Sequence, residues 1–421
     1  MPIRTTREAV EPLGGSAEGG HVAGTRRARR ARPSAAPAFL VAAVIAVTAW
    51  VAPASATTAG SGCPGVAMPV VFGRTPSRTT APSGAEIRTW RYVASNGVPS
   101  TLTEVRFDTR KLALSLRPTA RLGRAAFVGE ALESTKDGLV AVNGDYFTVK
   151  SGAMVGRTRA ILPVGPMVFG GRATYLPRGS SQVFAITAEG SYLHTHIRSS
   201  GSVTGKTRAG ERFNLWVSAV NPTTVHDSSG VVVQTGAAQF TRPHGTYEVL
   251  VRDGKVVKSG TRLTRVRSTD VVLAGRGESA TALRTLSYGT SVQVDRSVRA
   301  TKGQRIATAI GSGKHVLDNG TVSADCDATQ ETPRGRTFIA WKPGATRASL
   351  VTVVPSRTAF GGLTHRQVAI VARELGYTDA VQFDGGGSSV TAVRTRTGSH
   401  ARIVNGSDDR RTPNVLMLSK R

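Results

Sequence analysis

Residues Asp384-Gly385-Gly386-Gly387-Ser388-Ser389 are the strongest chemical signal in the chain. A strand-like run, Ala380–Phe383, delivers a carboxylate onto three glycines and two serines, and a second strand-like run leaves at once. Glycines forfeit packing and raise the entropy cost of ordering the backbone, so a fold keeps them where φ must be positive or a ligand must meet the main chain. Successive N–H groups in such a bend can form an anion-binding nest beside the acid. An ordinary hairpin needs only the Asp-Gly pair. The extra Gly386, Gly387, Ser388 and Ser389 therefore point to a site.

Three further clusters sit at strand-to-turn junctions. Asn143-Gly144-Asp145-Tyr146-Phe147 follows the apolar run Leu139–Val142 and places an amide and a carboxylate where a ligand could meet them. Ile310-Gly311-Ser312-Gly313-Lys314-His315 is a Gly-rich turn beside a cation. It lacks the spacing of a phosphate-binding Walker loop, and His315 alone is not assigned as a ligand. Arg336 opens the apolar run Arg336–Trp341, and a guanidinium held at a strand start suits bidentate phosphate contact.

The elements that must position these residues are mostly short alternating runs between turn signals: Ser100–Phe107, Ala113–Leu116, Val183–Ile186, Asn214–Val220, Tyr247–Val251 and Val271–Leu273. Asp253-Gly254 and Asn319-Gly320 read as hairpin turns. The clearest helix starts at Thr364 as N-cap and runs His365–Leu375, with Val368, Val371, Ala372 and Leu375 on one face and Gly376 closing it. A shorter helix is expected over Arg124–Glu133. This pattern predicts an α+β fold, a single β-rich domain with mixed sheets over residues 86–421 and a flexible Pro/Gly-rich linker over 57–85.

The N-terminus is Arg-rich, then apolar over Ala38–Ala52, then small-x-small at Pro53–Ala56, the order of a secretory signal cleaved after Ala56. The expectation is a secreted or cell-wall-associated protein with no stable membrane span after cleavage. The chain carries 55 basic against 27 acidic side chains, and the 365 residues beyond the leader keep 48 against 24. That field attracts polyanions. Aromatics are only 5% and no basic helix or stacking motif is present, which argues against nucleic acid. Phosphate-bearing wall polymers or anionic lipid heads fit better. The single pair Cys63 and Cys326 is expected to form a disulfide in an oxidising compartment, worth about 5 kcal/mol at most by loop entropy.

Taken together, Asn143–Phe147, Ile310–Gly313, Arg336–Ala340, Gly362–Gly376, Asp384–Ser389 and Arg410–Leu418 resemble, in order and spacing, the phosphodiester glycosidase family. The resemblance implies cleavage of a sugar C1–O bond whose aglycone is a phosphate ester, on a phosphorylated glycan or cell-wall glycopolymer. Asp384 would be the nucleophile or base and Asp145 its partner carboxyl. Arg336 and the amides of Gly385–Ser388 would neutralise the leaving phosphate, while Asn143 and Ser389 would orient sugar or phosphate oxygens. No cofactor is expected, with a divalent cation such as calcium in the Asp384 bend as the open alternative. The competing function is a non-catalytic basic protein that holds anionic wall polymers.

Overall fold

The computed structural model describes residues 75–421 apart from 120–122, 156–157, 226–228, 236–240, 265, 312, 324–331 and 357–359. The expected leader, Cys63, Cys326 and Ser312 lie outside the described residues. Strands dominate, arranged in several sheets and a barrel, with three α-helices among the described residues: α1 (Val128–Glu133), α2 (Gly277–Arg284) and α3 (His365–Glu374). The β-rich α+β fold expected from the alternating pattern is the fold observed. The pairing is mostly antiparallel, and Arg212–Val220 with Val231–Thr235 runs parallel, so the sheets are mixed.

An eight-stranded sheet carries most of the chemistry. Its order is Ser77–Thr79, Ala85–Val93, Pro99–Asp108, Arg347–Pro355, Arg336–Trp341, Asp379–Gln382, Lys314–Asp318, Thr321–Val322. The first strand lies inside the stretch read as a linker, so that stretch is partly sheet: Ser77–Thr79 has too few apolar residues to read as a strand but pairs with Thr89–Ile87. A five-stranded sheet orders Arg402–Asn405, Thr391–Val393, Gly138–Asn143, Asn414–Lys420 and Leu112–Pro118. A six-stranded sheet contains Tyr192–Ser199, Ser181–Thr187 and Ile306–Gly311, and a closed barrel uses seven strands between Ser202 and Val294.

Period-two alternation decides which sheet face meets which partner. Within Arg336–Trp341 every residue is buried, because both faces are covered. Phe338 and Ala340 pack with Val368, Val371 and Ala372 of α3. Ile339 and Trp341 join Leu116, Val140, Leu416, Phe184 and Phe383 in a core shared by the eight-, five- and six-stranded sheets. The barrel's core around Val203, Val233, Val249 and Leu273 is continuous with Val168, Val183, Ile197 and Ala309 of the six-stranded sheet.

α3 starts where the sequence expects. Thr364 Oγ1 accepts from Gln367 N, and the Gln367 side chain answers at Thr364 N, closing a capping box. Gly376 follows the last turn at φ +92°, the left-handed conformation a helix stop favours. The expected Arg124–Glu133 helix shrinks to α1, and α2 was not expected, since its Gly-Glu-Ser start gives no apolar stripe. The hairpin turns hold: Asp253-Gly254 and Asn319-Gly320 all have positive φ.

Candidate functional site

The four sequence clusters converge at the end of the Asp379–Gln382 strand. Phe383 anchors it, edge-on to Phe184 with ring centres 6.1 Å apart. Asp384 N then donates to Gly144 O at 3.0 Å, joining the Asp384 bend to the Asn143 turn. Asn143 is the clip between them. Its Nδ2 donates to Asp384 O at 2.8 Å, and its Oδ1 accepts from Thr337 Oγ1 at 2.6 Å and Val390 N at 3.3 Å. With no exposed surface, Asn143 holds the bend rather than a sugar hydroxyl.

Each glycine of the bend has a separate reason. A Cβ on Gly385 would sit 2.5 Å from Gly335 O, so the two backbones meet too closely for a side chain. Gly386 has φ +61° and donates to Gly335 O at 2.8 Å. Gly387 is exposed, and a Cβ there would lie 3.8 Å from Arg410 Nη1. The expected amide nest is largely taken up by the protein. Gly385 N serves Asp384 Oδ1 at 2.9 Å, Gly386 N serves Gly335 O, and the N–H groups of Ser388 and Ser389 close the single 3-10 turn. The cation above the bend is Arg410, stacked over Phe147 at 5.3 Å.

Arg336 is placed differently from its expectation. It is 5% exposed, with Nε on Leu363 O at 2.8 Å, Nη2 on Thr332 O at 3.2 Å, and Nη1 2.7 Å from His365 Nε2. Gln382 Nε2 lies 3.1 Å from the same His365 nitrogen and also donates to Tyr146 OH at 3.1 Å. Two donors facing His365 Nε2 make it an acceptor, so its proton sits on Nδ1. The row Arg336, His365, Gln382, Tyr146 thus brings the influence of a buried guanidinium to a phenol. Tyr146 is raised by burial, lowered by Gln382 and Arg336, and raised again by Asp384 and Asp145, so it stands among all three charges.

Asp145 is 3% exposed. Its Oδ2 accepts from Gly165 N at 2.7 Å, and its own N donates to Asn414 Oδ1 at 2.8 Å. Burial pushes its pKa up to about 7, opposed by the Gly165 and Tyr146 amides and aided by the Asp384 charge. Asp384 is partly exposed. Burial raises it too, while the Ser388 hydroxyl, Gly385 N–H and Arg410 pull it back. Ser388 lies beside that carboxyl without reaching good hydrogen-bond geometry, and its Oγ, Ser389 Oγ, Gln382 Oε1 and Asn414 Nδ2 are buried polar atoms with no partner. Leaving each unpaired costs about 1–3 kcal/mol. Four such atoms on the converging segments mark a place built for a polar ligand.

Gly311 explains the Ile-Gly turn. A Cβ there would lie 2.2 Å from Asp145 Oδ2, and one on Gly313 would lie 2.6 Å from the Tyr146 ring. These glycines make room for the acid and the phenol. Tyr146, Arg410, His365 and Asn414 are the residues that sequence reasoning did not assign. All four stand inside or beside the motifs already singled out, and their roles needed the fold.

The family comparison agrees with the motifs. Residues 229–419 match the phosphodiester glycosidase family. That match takes in Arg336, His365, the Asp384 bend and Arg410; the Asn143–Phe147 turn lies outside it. No curated protein matches the chain. Among solved structures, a hypothetical protein from Synechocystis superposes with TM-score 0.60 at 18% identity over 83% of this chain. This chain spans 64% of that protein's length. A Burkholderia pseudomallei K96243 protein gives TM-score 0.57 at 20% identity over 77% of this chain and 74% of its own. These two share the fold. The catalytic domain of zebrafish N-acetylglucosamine-1-phosphodiester alpha-N-acetylglucosaminidase gives TM-score 0.37 at 14% identity, covering 83% of this chain and 89% of its own. That likeness is too loose for structural inference.

Proposed function

We propose that this chain is an exported phosphodiester glycosidase that hydrolyses the C1–O bond of a glycosyl-1-phosphodiester, releasing the sugar and leaving a phosphate monoester. The observation that carries the reading is the carboxyl pair: Asp384 N on Gly144 O at 3.0 Å joins its bend to the turn that carries Asp145, and the two acids differ in exposure, Asp145 buried and Asp384 half-buried. Two acids set in unlike environments divide into proton donor and base or nucleophile. Asp384 is partly exposed, and the Ser388 hydroxyl, Gly385 N–H and Arg410 oppose the rise that burial gives it, so it serves the oxocarbenium-like centre as nucleophile or as base for water. Asp145 keeps its proton to near neutral pH and supplies it to the departing phosphate oxygen. Arg410 over Gly387 meets the phosphate charge. Arg336 acts inside the protein, through His365, Gln382 and Tyr146. Anionic wall glycopolymers are the substrate class that suits a chain with formal charge +28.

The deciding experiment incubates the full chain with a panel of sugar-1-phosphodiesters and reads free sugar and phosphate monoester. Equal amounts of both, lost in Asp384→Asn, support the reading. Release of inorganic phosphate, or no sugar from any member, rejects it.

A second reading, retention of anionic polymers without turnover, draws on the barrel. An open cleft of about 680 Å³ there is lined by Arg242, His244, Arg262 and Arg284. Binding alone would fade steeply with ionic strength, whereas turnover of a small substrate would fade less.

A further inference from the structure

A second polar cluster lies on the Lys314–Asp318 strand and takes no part in the reaction above. His315 stands between two carboxylates: Nδ1 is 3.9 Å from Asp318 Oδ2, and Nε2 is 3.9 Å from Asp379 Oδ1. Both separations are too long for hydrogen bonds. One donor atom from each of the three residues lies within 4.8 Å of the others. His194, from Tyr192–Ser199 in the six-stranded sheet, packs on His315 with ring centres 4.2 Å apart and planes at 36°. The Nε2 atoms of both histidines are buried and have no partner.

The unbonded His315 Nε2 beside two acids forms an arrangement that a cation relieves. Donors about 2.1 Å from a shared ion lie roughly 3.4 Å apart at a tetrahedral angle and roughly 4.2 Å apart when opposite. One imidazole nitrogen and one oxygen from each acid lie within 4.8 Å of one another, so a small side-chain shift closes the three onto one ion. Mixed imidazole and carboxylate donors suit zinc-class ions, whereas calcium takes oxygen alone. Asp379 is already oriented, because Thr378 Oγ1 donates to its Oδ2 at 2.7 Å and leaves Oδ1 toward His315.

We propose that His315, Asp318 and Asp379 bind one divalent transition-metal ion, with water completing its coordination. The ion ties the Lys314–Asp318 strand to the Asp379–Gln382 strand, bracing the strand that ends at Asp384. This revises the sequence expectation, which gave His315 no ligand role.

The test strips the full chain with chelator and titrates it with Zn²⁺ by calorimetry and with Co²⁺ by visible absorption. One saturable equivalent is expected, with a rise in Tm on Zn²⁺ and the visible bands of four-coordinate Co²⁺. His315→Gln should abolish that equivalent and the Tm gain. Asp318→Asn changes an exposed side chain, so the protein folds and affinity drops at least about tenfold. No saturable equivalent at micromolar metal, or one that both variants retain, overturns the proposal. An equivalent kept by His315→Gln and lost by Asp384→Asn also overturns it, and locates the ion in the Asp384 bend.

Discussion

At the scale of single residues, the proposed mechanism divides the work between two acids of one type. Asp384→Asn should lower kcat/KM at least about 100-fold, about 2.7 kcal/mol, with little change in Tm. Asp145 offers a pH test with a definite sign. Its folded pKa is raised, so the native state holds a proton the unfolded chain has released. The stability it contributes is full below about pH 4 and is lost as pH rises through about 7, at about 1.4 kcal/mol per pH unit within that window. Asn mimics the protonated acid. Asp145→Asn should therefore gain in Tm relative to the parent between pH 5 and pH 8, while activity falls in the variant at every pH. A Tm difference that stays flat across that range would show Asp145 to be unshifted. Arg410 and Arg336 separate by the same pair of readouts. Arg410→Ala removes an exposed cation and should raise KM about tenfold with Tm unchanged, since one exposed phosphate contact is worth about 1–2 kcal/mol. Arg336→Ala strips interior bonds from Leu363, Thr332 and His365, so Tm and kcat should fall together.

At the scale of elements, short strands place chemistry at their ends and glycines let those ends touch. Gly311→Ala puts a methyl against Asp145 Oδ2, and its backbone neighbour Gly165 leaves no room to yield. Loss of activity comparable to Asp145→Asn is expected from that single methyl, read as kcat/KM beside a near-UV circular dichroism spectrum that stays native-like. α3 holds His365 in its first turn, so its cap bears on the site. Thr364→Ala should cost about 0.5–2 kcal/mol by denaturant unfolding, with a further loss of activity through the Arg336, His365 and Gln382 row. Much of this was legible in advance. Thr364 as N-cap and Gly376 announced α3, and the apolar run Arg336–Trp341 announced a strand. Ser77–Thr79 and α2 were illegible because neither carries an apolar period; each is held by its neighbours, not by its own pattern.

At the scale of the whole molecule, net charge and the proposed export set the conditions of work. Denatured full chain without reductant should show no reactive thiols if Cys63 and Cys326 are bridged, and two reactive thiols would exclude the bridge. The basic field should raise the apparent affinity for phosphate-bearing polymers at low salt and lose that gain near physiological ionic strength.

Residue type and spacing by themselves determined the β-rich class, the start and stop of α3, the hairpin turns and the four clusters, two of which hold the acids. Those features are local: a period of two, a cap three residues from its partner, a glycine where φ turns positive. Pairing between distant segments was left to the tertiary structure. Only the fold brought Asn143 to Asp384, turned Arg336 inward onto His365, raised Arg410 over the bend and set His194 against His315. Each of these contacts joins residues far apart in the chain, and burial and partner geometry, which no single stretch of sequence carries, decide what each side chain can do.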